Sequence, residues 1–106
     1  MKESEFTKVN PLVRDASLWS AEDGEGAELE VSEFIGALVR LLKPKFVVET
    51  GCYKGQTTRE IARALQENGH GYLYSCDTDQ ERVLAVRKTV SPQWGAVASA
   101  PGVAGV

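Results

Sequence analysis

Hydrophobic positions change their spacing several times along this chain, and each change marks an element. Val31, Phe34, Ile35, Leu38, Val39 and Leu42 recur at i, i+3, i+4 and i+7, the spacing of one helical face, so an amphipathic helix is expected over 28–42. Pro44 stops it, because a proline disfavours helical geometry in the residue before it. The run "KFVVET" that follows is too short for a helix and rich in β-branched residues, which reads as a buried strand over 46–50. After two glycines, Thr57 to Glu60 has the form of a capping box, with Thr57 as cap, and opens a helix over 57–68. Ile61, Ala62 and Leu65 form its inner face, and Gly69 sits where a left-handed C-terminal residue belongs. "YLYSCD" supplies a second strand near 72–76, and a second capping box, Thr78 to Glu81, opens a helix over 78–89 with Val83, Leu84, Val86 and Val90 to bury.

Helix, strand, helix, strand, helix is the order of a βαβ unit, so the expected class is α/β with a parallel strand pair. Residues 1–27 read as a polar N-terminal segment with an acidic loop at 22–26 and one large apolar anchor, Trp19. Residues 91–106 carry no charge and little but Ala, Gly, Val, Pro and Ser. They read as a loosely ordered, low-complexity tail in which Ala96–Ser99 is the one strand candidate.

Composition narrows the function classes by exclusion. At 106 residues, 42% hydrophobic and 25% charged, the chain has the size and balance of one small globular domain. A net charge of −3 and a pI near 5.2 give no basic footprint for nucleic acid. No apolar run approaches the roughly 20 residues of a bilayer span, and the first ten residues lack a signal-peptide core. No membrane partner is expected, and the cytoplasm is the expected compartment. Two cysteines, Cys52 and Cys76, are too few for a disulfide framework, and a lone histidine, His70, argues against a metal site.

The chemistry concentrates in "FVVETGCYKGQTT", residues 46–58. A phosphate-cradling loop of the Walker type needs four residues between its glycines and a lysine before the Ser/Thr. Here three residues separate Gly51 from Gly55, and Gln56 occupies the lysine position. A dinucleotide fingerprint needs three closely spaced glycines so that backbone can approach a pyrophosphate, and Cys52, Tyr53 and Lys54 fill that space instead. An acid at Glu49 also suits a pyrophosphate poorly.

"ETGCYKGQTT" resembles motif I of class I S-adenosylmethionine-dependent methyltransferases, and "YSCDTD" resembles their motif II. The helix leading into "LLKPKFVVETG" is similar to that of the O-methyltransferase-like group, which includes relatives of catechol O-methyltransferase. The likeness covers about residues 28–90. It implies the N-terminal half of a Rossmann-like methyltransferase fold, S-adenosylmethionine as cofactor, and O-methyl transfer to a small-molecule acceptor. Position by position it implies cofactor contacts at Glu49, Gly51, Gly55 and Thr57, with Asp77 as the acid for the ribose hydroxyls. Tyr53, inside the loop, is equally a pocket wall or a cover for the turn. No catalytic residue is identified, since no Asp or Glu follows Glu81. The abrupt change of composition near Ser91 suggests a truncated or frameshifted form of a longer enzyme, and a minimal domain completed by a second copy or another chain is the alternative. A non-catalytic Rossmann-type module binding NAD or S-adenosylmethionine is the competing function.

Overall fold

The computed structural model describes residues 29–100. The N-terminal readings, Trp19 and the acidic loop included, lie outside the described residues, as does 101–106. The order is α1 (Leu29–Leu42), β1 (Phe46–Thr50), α2 (Gln56–Asn68), β2 (Tyr72–Asp77), α3 (Gln80–Arg87) and β3 (Gly95–Ser99). The three strands form one parallel sheet in the order β1-β2-β3, a partial Rossmann-like arrangement as expected. Register pairs Phe46 with Tyr72 and Thr50 with Cys76, then Leu73 with Gly95 and Asp77 with Ser99. All strands therefore end at the same edge, beside the glycine loop.

The strand candidate Ala96–Ser99 is formed, beginning one residue earlier at Gly95, and its pairing with β2 corrects the reading of a two-stranded sheet followed by a loose tail. Residues 91–94 turn, with Trp94 N–H donating to Ser91 O at 2.9 Å, and the chain enters β3 at Gly95. Leu73 N–H donates to Trp94 O, also at 2.9 Å. A Cβ at Gly95 would lie 3.1 Å from both Leu73 Cβ and Val90 Cγ1, so this position takes glycine because the sheet and α3 close over it. Val97 is buried while Ala96 and Ala98 face out. The Ala/Gly composition that looked featureless is a strand of small residues with the alternation of a half-covered sheet.

One face of the sheet carries the core. Val39, Ile61, Ala64, Leu65 and Leu73 pack together with Ile35, Val47 and Trp94 against them, while Cys52, Ala62, Val83, Val86, Val90 and Val97 form a second cluster beneath α3. The opposite face presents Phe46, Val48 and Tyr74, all exposed. Tyr74 contacts the rings of Tyr72 and Phe46 at centroid separations of 5.1 and 5.9 Å, an aromatic row across β1 and β2.

Helix α1 forms where its periodicity placed it but turns a different face inward. Ser32, Gly36 and Val39 are buried, whereas Val31, Phe34, Leu38 and Leu42 are exposed. Close approach of α1 to α2 explains the rotation. A Cβ at Gly36 would meet Glu60 Oε1 at 2.4 Å, and Glu60 is buried between Arg40 and Arg63. Small and paired polar residues make that contact together with Ile35 and Val39, the part of the apolar stripe that stays inside. At the end of α1, Lys43 takes a left-handed backbone (φ 48°) and its N–H donates to Val39 O, an αL cap on a non-glycine residue just before Pro44.

Both capping boxes are displaced by one or two residues. Helix α2 is capped by Gly55 in a left-handed conformation with no side-chain cap, and Glu60 reaches arginines instead of the backbone. Helix α3 is capped by Asp79, whose Oδ1 accepts from Glu81 N–H and Arg82 N–H, so Thr78 stands outside the helix. Gly69 closes α2 as expected, at φ 67°.

Candidate functional site

Strand β1 delivers the chain to the loop through Gly51, at φ 75°. The N–H groups of Gly51 and Cys52 both donate to Cys76 O, at 2.8 and 3.2 Å, so the loop begins by leaning over the end of β2. Tyr53 follows with φ 47°, unusual for a residue with a side chain. Its N–H donates to Asp77 Oδ2 at 3.0 Å. Gly55 N–H returns to Cys52 O at 2.8 Å, and Gly55 O accepts the first intrahelical bond of α2 from Arg59.

The two glycines do different work. A Cβ on Gly51 would meet nothing within 4 Å, so open space lies above it. A Cβ on Gly55 would lie 3.0 Å from two carbons of Val86, so that glycine is a packing requirement. Both have positive φ, where glycine alone is unstrained.

Two carboxylates stand at this end of the sheet. Asp77, the last residue of β2, is buried, and its Oδ1 accepts Asp79 N–H at 2.9 Å while Oδ2 takes Tyr53 N–H. The Asp79 N–H holds its carboxyl below the ordinary range, aided by the Tyr53 N–H and the Arg82 charge, with burial opposing. Glu49, half-buried on the helix-covered face, is fixed differently. Its Oε1 accepts Thr58 Oγ1–H at 2.5 Å and Ser75 Oγ–H at 2.7 Å, and Oε2 takes no hydrogen bond among the described residues.

The structure thus brings Glu49, Gly51, Tyr53, Gly55 and Asp77 to one edge. Thr57 is turned away: its Oγ1 lies 2.9 Å from Ser32 Oγ on α1. Sequence reasoning missed three participants. Thr58 and Ser75 hold Glu49, and the register that sets Glu49 beside Ser75 was the available signal. Arg82 on α3 places its guanidinium carbon 4.3 Å from the Tyr53 ring centroid, with Lys54 Nζ at 5.4 Å, so the ring is flanked by cations. Lys54 is thereby occupied with the ring. Cys52 is a buried free thiol pushed up by its desolvation, first, and then by the charges of Asp77 and Glu49. Cys76 is also free.

A family model described as a methyltransferase domain matches residues 48–106, from within β1 onward. The chain belongs to that methyltransferase family. The fold agrees: a crystal structure from Klebsiella pneumoniae assigned as an O-methyltransferase is similar, with a TM-score of 0.61 and 21% identity over 93% of this methyltransferase-family chain. The match covers 49% of that structure, so the chain spans about half its length. No curated protein matches the sequence. Among the described residues, no helix is long and apolar enough to cross a membrane.

Proposed function

We propose that this chain binds S-adenosylmethionine at the carboxyl ends of β1 and β2, and serves O-methyl transfer to a small molecule. The observation that carries the reading is the pair of carboxylates beside an open glycine. Glu49 and Asp77 supply carboxylate acceptors at the loop, which suit a ligand bearing an ammonium and ribose hydroxyls.

The residues fit such a ligand. Glu49 keeps one carboxylate oxygen uncommitted, the acceptor an ammonium needs. Gly51 leaves room for close backbone approach. Each Asp77 oxygen accepts one backbone N–H and retains a second acceptor site for a ribose hydroxyl. Tyr53 projects from the same loop as a wall. Gly55 and Thr57 are the scaffold beneath: Gly55 caps α2 against Val86, and the Thr57 hydroxyl ties α2 to α1. When bound, S-adenosylmethionine supplies an electrophilic methyl on sulfur, which a nucleophile displaces when held in line. Oxygen as acceptor follows from the O-methyltransferase-like resemblance.

Equilibrium dialysis with S-adenosylmethionine, S-adenosylhomocysteine, NAD and ATP tests the proposal. Preference for the first two supports it. Preference for NAD favours the non-catalytic Rossmann-type module, and preference for ATP rejects both.

A further inference from the structure

Glu49 sits at the end of β1, yet its orientation is decided by two residues of other elements. Thr58 lies on α2 and is fully buried; Ser75 lies on β2 and is 3% exposed. Both hydroxyls donate to the same atom, Glu49 Oε1, at 2.5 and 2.7 Å. A carboxylate free to rotate presents either oxygen to a ligand. Here one oxygen is saturated by two buried donors, one from α2 and one from β2, and the rotation of the carboxylate is fixed. Oε2 is the oxygen left to a ligand.

We infer that Thr58 and Ser75 are positioning residues that lock Glu49 Oε1 so that Oε2 is presented to the ammonium of the cofactor's amino-acid end. This rests on the cofactor reading above and deepens it, because it assigns recognition of the amino group to a three-residue unit. The backbone already aligns Glu49 with Ser75 across the strand pair, and Thr58 enters from the first turn of α2, on the side of the sheet that α2 covers. Thr57, the neighbouring threonine, cannot substitute, since its hydroxyl engages Ser32. Preorganised acceptors gain because no rotation is left to freeze on binding.

The test is a comparison of two ligands, S-adenosylhomocysteine and its desamino analogue, by calorimetry on the full chain. The unaltered protein should bind the desamino compound about tenfold or more weakly, the scale of one lost charge-assisted hydrogen bond. Glu49→Gln should bring the two ligands close to parity. Thr58→Val and Ser75→Ala should each shrink the preference several-fold while leaving affinity for the desamino compound unchanged, and Thr58→Ser should restore it. Circular dichroism confirms that each variant is folded, and Ser75→Ala carries the test if Thr58→Val is not. A purely structural role weakens both ligands together, and that result overturns the inference. So does an intact preference in Thr58→Val and Ser75→Ala when Glu49→Gln abolishes it. If the unaltered chain binds both ligands alike, or neither, the cofactor role of Glu49 itself fails.

Discussion

Tyr53 takes a left-handed backbone, and its N–H donates to Asp77 Oδ2 at 3.0 Å. A strained residue of the loop and the last residue of β2 fix each other. Asp77 also accepts Asp79 N–H through its other oxygen, so one buried side chain ties the glycine loop, β2 and the start of α3 together. Asp77→Ala removes both acceptors and should destabilise the fold by about 2–3 kcal/mol, the scale of hydrogen bonds to a charged group. Urea unfolding measures the loss, and amide exchange should quicken first at Tyr53 and Asp79.

The same contacts make stability depend on pH with a definite sign. Asp77 is held below its ordinary value in the fold, by Asp79 N–H first and then Tyr53 N–H. Its contribution is therefore complete above the unfolded value of about 3.9 and is lost as pH falls through the lower folded value. Unfolding free energies from pH 6 down to 2 should decline for the unaltered chain more steeply than for Asp77→Asn. The difference between the two curves isolates Asp77 from Glu67, whose carboxyl is also lowered, by Arg40.

Two glycines separate fold from function. Gly71 has φ 101°, and a Cβ there would lie 2.4 Å from the backbone carbonyl of Pro44. Gly71→Ala should cost about 3 kcal/mol or more, because neither strain nor clash can relax without moving the entry to β2. Gly51→Ala meets open space and carries only the left-handed penalty of about 1–2 kcal/mol. It should remain folded and lose cofactor affinity by about tenfold or more. Thermal melts alongside ligand titration check both.

The loop was legible in the sequence because its information is local. Gly51, Gly55, Glu49 and Asp77 are placed by the backbone of one strand–loop–helix and the strand after it, and the resemblance of those short stretches to motifs I and II picks them out. The inner face of α1 was not legible, since Ser32 and Gly36 are chosen by the nearness of Glu60 and Thr57, more than twenty positions away. The third strand showed only as a candidate at Ala96–Ser99, and its place in the sheet was not legible, for a related reason. Gly95 and the alanines are small because Leu73 and Val90 crowd them, and small residues without charge carry no periodic signal by themselves. Thr57 illustrates the limit of a motif: the position matched, while the side chain answers to α1.

Turnover by the chain alone should be slow or absent. The residues proposed to hold cofactor are present, but none of the described residues is assigned to hold an acceptor, and the chain spans about half of the similar structure. Methyl transfer needs cofactor and acceptor held in a near-attack arrangement. Labelled S-adenosylmethionine with a panel of catechols, phenols and sugars measures it. Robust turnover abolished by Asp77→Ala would show that the short chain is a working enzyme and that the acceptor is held by residues not assigned above.

The central claim is that the cofactor sits on the glycine loop between Glu49 and Asp77. Amide chemical shifts of the labelled chain during titration with S-adenosylhomocysteine test it most directly. The account predicts saturable changes centred on Gly51, Cys52, Tyr53 and Asp77–Asp79, with the aromatic row of Phe46, Tyr72 and Tyr74 unmoved. Changes confined to that aromatic face, or a loop that responds to NAD and not to S-adenosylhomocysteine, would contradict it.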